Sequence, residues 1–401
     1  MAFQASPAGR GLKPRMADHL THDLIIHLVV FQAVVLLVIL SNLRMIHRSR
    51  RYVPPSDFPK VSVLVPVRNE ETSIADCVQS LLAQDYPSFE VVVLDDQSED
   101  GTASILERIA ESQPKLRVLV GAPPPGDQLG KNWACSQLAR QAQGDLFFFT
   151  DADTLHHPGT LMAIVTALMG EHADLLTGFP RQEVHTWGER LLVPFFSWAL
   201  LSFNPLILAY RLRLPVLASA VGQVMLFRRE AYLAVGGHAR MGSSIVDDLM
   251  LARQIKAAGM RWRVVYVADL ISCRMYRENR QAIDGFAKNL FAAFDFRLLP
   301  FLFAFLWLAV MFWEPIIVLS LMIFGQAPQA RAIELVACIG LSMLLWLLPY
   351  ADMRIPLGLA FLYPLTILSI EVVALLSIRR SLCGRLSWKG RSIPRPRWRW
   401  L

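Results

Sequence analysis

Asp151-Ala152-Asp153 follows Leu-Phe-Phe-Phe-Thr, a short apolar run that reads as a buried strand. Alternate carboxylates on an extended segment can share a hard divalent ion. Mg2+ or Mn2+ is commonly held by one or two carboxylates plus phosphate oxygens, and such an ion offsets charge on a leaving diphosphate. Surface turns also produce Asp-x-Asp, but this one lies beyond a strand, in register with two other acidic loops. Asp95 and Asp96 end a second strand-like run, and with Glu70 their oxygens suit a nucleobase N–H or ribose hydroxyls. Ser98 and Asp100 precede a helical pattern and are expected to cap it. Lys131, in Gly130-Lys131-Asn132-Trp133, sits at a helix start, a favourable place for phosphate. The glycine spacing and the missing Ser/Thr after the lysine exclude a P-loop. Asp247 and Asp248 open the helical segment Leu249 to Ala258; they either cap it or provide, in Asp248, a general base for a hydroxyl. His156, His157 and His238 read as hydrogen-bonded structural residues, with His157 alone placed to complete an ion shell.

These side chains need a frame. Lys60 to Pro66, Glu90 to Leu94, Leu116 to Val120 and Leu146 to Thr150 read as strands. Thr72 to Ala83, Gly101 to Ala110 and Asn132 to Gln141 carry apolar residues at helical spacing. This β-α-β order predicts an α/β doubly wound, mostly parallel sheet, whose ligands bind beyond the carboxyl ends of the strands. The acidic groups fall there.

The chain of 401 residues is 54% hydrophobic and 18% charged, more apolar than a soluble domain. Leu24 to Leu43 is long enough to cross ~30 Å of hydrocarbon and reads as an uncleaved anchor. Three more apolar runs, Leu298 to Phe324, Leu335 to Leu348 and Leu357 to Ile378, lie beyond the central region, bounded by Gly325, Pro328, Asp352 and Pro356. The expected division is a tail at 1–23, an anchor at 24–43, a catalytic domain at 60–297, membrane segments at 298–378 and a basic tail at 379–401. Basic clusters after the first run and after the last place both flanks, and the central domain, in the cytosol at the plasma membrane. Four crossings would put the C-terminus outside, so one trailing run, the short middle one, is expected to be re-entrant or interfacial. Leu191 to Leu208, interrupted by Pro194 and Pro205, is expected on the membrane surface, with Phe195, Phe196, Trp198 and Phe203 either in lipid or in the core. The net charge of +7 and pI near 9.3 are concentrated beside apolar runs, which fits anionic lipid headgroups and no nucleic acid. Cys77, Cys135, Cys273, Cys338 and Cys383 have no metal or disulfide spacing.

Val65-Pro-Val-Arg-Asn-Glu70, Val-Leu-Asp-Asp-Gln-Ser-Glu-Asp-Gly-Thr102, Thr-Asp-Ala-Asp153 and Val-Asp-Asp248, in this order, resemble glycosyltransferase family 2 over about 61–294. The resemblance implies a GT-A fold, a nucleotide-sugar donor, usually UDP-linked, a divalent cation (Mg2+ or Mn2+) and inversion by direct displacement. It also implies roles: Glu70, Asp95 and Asp96 for the nucleoside, Lys131 for the diphosphate, Asp151 and Asp153 for the ion, and Asp248 as base. The flanking spans, with Gly-Gln-Val-Met-Leu-Phe-Arg-Arg229, Gly236-Gly237-His238, Cys-Arg-Met-Tyr-Arg277 and Gly285-Phe-Ala-Lys-Asn289, resemble the bacterial hopanoid- and carotenoid-associated branch and, more distantly, ceramide glucosyltransferases. That implies a membrane lipid acceptor. The Gln/Arg-x-x-Arg-Trp signature of cellulose synthase, hyaluronan synthase and ceramide glucosyltransferase relatives occurs only as Arg277-Glu-Asn-Arg280-Gln281, without tryptophan, which disfavours a processive polysaccharide synthase. Intact acidic loops disfavour a catalytically silent membrane scaffold.

Overall fold

The structure is a computed structural model and describes residues 12–126, 128–325 and 332–401. Helix α1 (Leu12–Ile46) leads by a 3-10 turn at His47–Arg51 into an alternating series. It comprises β1 (Val61–Val67), α2 (Ile74–Leu82), β2 (Phe89–Asp95), α3 (Thr102–Ala110), β3 (Leu116–Val120), α4 (Gly130–Gln141), β4 (Leu146–Phe149), β5 (Thr154–His156), α5 (Thr160–Gly170), β6 (Leu175–Phe179) and β7 (Arg181–Gln182). Two apolar helices follow, α6 (Trp187–Phe203) and α7 (Leu206–Arg211), then β8 (Met225–Arg228), α8 (Arg229–Ala234), α9 (Asp247–Ala257), β9 (Trp262–Tyr266), β10 (Ile271–Cys273) and α10 (Asn279–Ala293). Helices α11 (Leu298–Ile323), α12 (Ala332–Asp352) and α13 (Tyr363–Leu382) precede a hairpin of β11 (Ser387–Trp388) and β12 (Arg391–Ser392).

Seven strands form one sheet in the order β3-β2-β1-β4-β8-β6-β9. β1 to β4 are mutually parallel, as the alternation predicted, while β8 runs antiparallel to both β4 and β6. Because side chains alternate along a strand, Val61, Val63, Val65, Val91, Val93 and Phe148 pack on one face and Leu64, Val92, Leu94, Phe147 and Phe149 on the other. Both faces are therefore apolar, which explains the unbroken Val/Leu/Phe runs. The second face continues without a break into the apolar helices: Leu28, Trp198, Phe312 and Trp346 belong to the same buried cluster.

Among the described residues, four helices are long and apolar enough to cross a membrane: Leu24–Arg51, Leu298–Ile323, Ala332–Asp352 and Leu357–Leu382. The helix containing the first begins at Leu12, so residues 12–23 extend it rather than forming a tail; residues 1–11 lie outside the described residues, as does Pro328. α1 and α12 run side by side in the same direction. Gln32 Nε2 donates to Ser342 Oγ at 2.9 Å, and His47 meets Asp352 at 2.6 Å. α11 runs against them, with Gln32 Nε2 also donating to the Met311 carbonyl at 3.2 Å.

The middle trailing run therefore does not stand out as short. Extended through Pro349 to Asp352, it reaches 21 residues and lies along α1. The exceptional helix is α13. Arg354, nine residues before it, donates to Asp269, and Arg380, near its end, donates to Asp284 of α10 at 2.6 Å. Its C-terminal end therefore stands beside the sheet domain, while Tyr363 at its start packs on Phe312 and Trp346, and the helix lies on α10 and α6. Its opposite face exposes Leu365, Leu368, Val372 and Leu375.

α6 continues through Pro194, started by a Thr186/Glu189 capping box. Its aromatic residues divide: Phe196 and Phe203 are exposed, whereas Phe195 and Trp198 are buried. Trp198 stacks on Trp346 with centroids 4.1 Å apart. At Pro205 the chain breaks, and Asn42 of α1 spans the break. Its Nδ2 donates to the carbonyls of Leu201 and Asn204, both at 2.8 Å, and its Oδ1 accepts from Leu206 N at 3.0 Å.

Candidate active site

The loops after β1 and β2 are tied together by their own polar groups. Arg68, buried, donates to the carbonyls of Asp96 and Gln97 at 2.7 and 2.8 Å and pairs with Glu99. Asn69 and Gln97 take positive φ values of 52° and 60°, and Asn69 uses its side chain to receive Glu99 N at 2.8 Å. Glu70 N donates to Thr102 Oγ1 at 2.9 Å. Asp100 accepts from Thr102 N at 3.0 Å, as a residue at a helix start should. Ser98 does not cap α3: it donates through N and Oγ to Asp95 Oδ1 and accepts from Asn69 N. The loop turns Ser98 inward, away from the helix axis, and this fixes the Asp95 carboxylate.

Beyond β4, Lys131 at the start of α4 donates to Asp151 Oδ1 at 2.7 Å. Burial opposes the lysine's charge, yet Asp151 and Asp247 hold its pKa well above the ordinary value. Asp153 receives the Cys273 thiol at 3.4 Å. Burial, then the charges of Asp151 and Glu70, push its carboxyl up to about 7. Among the described residues no group of three His, Cys, Asp or Glu could hold an ion unaided. Two crowded carboxylates completed by substrate phosphates are nevertheless a normal Mg2+ or Mn2+ set, and the like-charge crowding at Asp153 is what a cation relieves.

Asp247 and Asp248 begin α9 with opposite fates. Burial would raise both. Lys131 and His238, the latter at 3.4 Å, bring Asp247 down to about 2. Asp248 is pushed up to about 7 by burial and by the charge of Asp247. Its Oδ2 accepts from Gly222 N at 3.0 Å and its Oδ1 from Leu249 N at 2.7 Å. A methyl group built on Gly222 would lie 3.5 Å from both Asp248 Oδ2 and Lys131 Nζ, so these three groups meet at one point. Two adjacent carboxyls with divergent proton affinities are chemically suited to acid/base work.

The histidines are structural. His156 is buried and bonded to Thr150 and Thr154, and burial lowers it to about 3. His238 bonds Tyr232 and Asp247, and His157 accepts from Gly159 N in its own turn.

Three groups at the site were not found by reading the sequence. Lys288 of α10 feels Lys131, Asp247, Asp151 and Asp248, and burial brings it to about 8. Lys389 donates to Glu70 Oε1 at 2.7 Å, and Arg391 to Asp96 Oδ2 at 2.6 Å. The last two come from the segment read as a membrane-facing basic tail, and only an arginine or lysine spaced across a short turn hinted at them.

Residues 62–236 match the family model Glycosyl transferase family 2. The chain is 31% identical over 125 residues to Glycosyltransferase AglE of Haloferax volcanii, covering 31% of this chain and 40% of that protein. It is 38% identical over 99 residues to a Beta-monoglucosyldiacylglycerol synthase of Synechocystis (24% and 20% covered). It is 27% identical over 234 residues to a 4,4'-diaponeurosporenoate glycosyltransferase of Staphylococcus aureus (57% and 60%). The chain thus spans less than two thirds of the length of these relatives. The structure superimposes on a mannosyltransferase, PcManGT from Pyrobaculum calidifontis in complex with GDP-Man and Mn2+, with a TM-score of 0.53 at 21% identity, covering 90% of this chain and 99% of that one. The fold is GT-A-like.

Proposed function

On the premise that this chain carries a glycosyl transferase family 2 domain over residues 62–236, we propose that it is an inverting glycosyltransferase moving a sugar from a UDP-linked donor to a membrane lipid at the cytosolic face. The observation that carries this reading is the Asp248 carboxyl, raised to about 7 where Lys131 and Gly222 converge. Glu70, Asp95 and Asp96 accept hydrogen bonds from the nucleoside, and Lys131 neutralises diphosphate charge. Asp151 and Asp153 would hold a divalent cation, which when bound supplies charge stabilisation to the departing diphosphate. Asp248 takes the proton of the acceptor hydroxyl as its oxygen bonds the anomeric carbon and the carbon–diphosphate bond breaks on the opposite side. Asp247, ionised beneath, keeps Asp248 basic enough for that transfer near neutral pH.

Relatives whose names specify a diacylglycerol and a carotenoid acid support a lipid acceptor. So do the exposed Phe196, Phe203, Ile207 and Leu208 on α6 and α7 and Leu212 just after them, beside the site domain. Processive synthesis and a silent scaffold are disfavoured by the missing tryptophan and by the divergent Asp247/Asp248 pair. The deciding experiment is UDP release by detergent-purified protein with a panel of UDP-sugars, with and without Mn2+ or Mg2+, and with host lipid extract as acceptor. Release that needs both metal and lipid supports the reading; no turnover and no binding of any donor would sink it.

A further inference from the structure

The hairpin of β11 and β12 pairs Ser387 with Ser392 and Trp388 with Arg391. Lys389 and Gly390 form its tip with φ of 46° and 81°. The tip lands on the loops after β1 and β2. Lys389 Nζ donates to Glu70 Oε1 and, at 3.2 Å, to the Asn69 carbonyl, while Arg68 Nε donates back to the Lys389 carbonyl at 3.4 Å. Arg391 divides its fork: Nη1 donates to Asp96 Oδ2 at 2.6 Å and Nη2 to Gln97 Oε1 at 2.9 Å.

What remains open on Asp96 is informative. Its side chain is 3% exposed, yet Oδ1 is buried with no partner among the described groups. A purely structural arginine–carboxylate pair gains most by engaging both oxygens with its two nitrogens. Here the second nitrogen is spent on Gln97, and one carboxylate oxygen is left for a donor that is not protein. A buried acceptor left unmade costs about 1–3 kcal/mol, which a nucleobase N–H would offset.

We infer that Arg391 is a positioning residue of the donor site: by holding Oδ2 of Asp96 it presents Oδ1 to the nucleobase, so the C-terminal hairpin completes the nucleoside subsite. The inference rests on the assignment of Asp96 to the donor nucleoside made above. Lys389, on Glu70, anchors the hairpin in the same register.

The charge environment of Asp96 makes this testable by pH. Burial raises its carboxyl, and the charge of Asp95 on the same strand acts in the same direction. Arg391 from the hairpin and Arg68 from the loop after β1 oppose them, Arg68 being shared with Glu99. On the α4 side the Cys135 thiol feels the charge of Asp96 and is itself held neutral by burial. Without Arg391 the carboxyl takes up a proton at higher pH, and a protonated carboxyl loses acceptor strength.

The test uses the full-length protein in detergent, with UDP as binding probe and the active UDP-sugar as substrate, comparing wild type with Arg391→Ala and Arg391→Lys. Arg391→Ala is expected to raise the donor KM and the UDP Kd by about tenfold, with kcat much less affected. The acid limb of the affinity profile should move to higher pH, and Arg391→Lys, which keeps the charge, should recover most of both effects. Thermal unfolding run in parallel identifies a variant that fails to fold, in which case the lysine variant alone decides through its pH profile. A rise equal at every pH and unrelieved by lysine would reduce the hairpin to a cover. A lower KM would make it an obstruction of the site. Either result overturns the inference while leaving the proposed function intact, whereas wild-type protein that neither binds UDP nor turns over any donor overturns both.

Discussion

Asp248 lies one residue from Asp247 and differs from it by about five pH units in the acidity of its carboxyl, because His238 serves only the inner one and the charge of Asp247 raises the outer one, although Lys131 lowers both. Transfer should therefore rise with pH as Asp248 loses its proton around 7, a limb that a pH–kcat profile reads directly. Asp248→Asn should reduce kcat by about 10²–10⁴-fold while nucleotide binding persists; measurable transfer at the wild-type rate would remove Asp248 from the base role. The same substitution removes a like charge from beside Asp247. Because the folded-state carboxyl is raised, its contribution to stability is full below about 4 and is lost as pH rises through about 7. The asparagine variant should thus melt higher than wild type at pH 8, by a few degrees, and no higher at pH 4. Asp153→Ala is expected to abolish the metal dependence of UDP binding; a calorimetric titration with and without Mn2+ that shows the same difference as wild type would sink the ion assignment. That Glu70, Asp95, Asp96, Asp151, Asp153 and Asp248 lie at strand ends, in the loops just beyond them or at a helix start was legible in the sequence. Lys288 and Arg391 were not, because a cation 295 residues from its carboxylate leaves no local pattern.

At the scale of elements, the hydrophobic period located β1 to β4 to within a residue or two, but not β6 and β9, which also pair in parallel. It missed the antiparallel β8, whose Met-Leu-Phe-Arg reads like any other buried strand: direction is set by the connection through α6 and α7, which no period encodes. α6 illustrates a related override. Pro194 removes one helix hydrogen bond, but the capping box and the burial of Trp198 against Trp346 outweigh that loss. Where Pro205 does end the helix, Asn42 takes up the loose groups, and Asn42→Ala should cost about 1–3 kcal/mol by leaving three buried partners unmet. Gln32→Leu, inside the helix bundle, should cost less, about 0.6 kcal/mol on average for such bonds in lipid. Melting temperatures in detergent rank the two; the reverse order would show that Asn42 is not the clamp it looks to be.

For the whole molecule, four helices are long and apolar enough to cross; we propose that α1, α11 and α12 do so and that the run containing α13, tied through Arg354 and Arg380 to Asp269 and Asp284, does not, which would return the basic tail to the side of the sheet domain. On that reading the two basic flanks lie on one side, where four crossings would separate them. In a Cys383→Ser background, cysteines placed singly at 356 and 395 should react with an impermeant thiol reagent only from the cytosolic side, as should one at 125; labelling of 395 from outside would make α13 a fourth crossing. The exposed Leu365, Leu368, Val372 and Leu375 would then face lipid across the bilayer instead of lying along its surface.

The hairpin also bears on the order in which the enzyme is made. Every carboxylate of the site emerges from the ribosome before α11, yet Arg391 follows the last apolar helix. A chain still being synthesised, or stalled with its membrane helices half inserted, would carry an Asp96 lacking its cation and would hold donor weakly. If the hairpin completes the nucleoside subsite as inferred, donor would be held at full strength only after the last apolar helix has been made, so that nascent protein would capture less nucleotide-sugar.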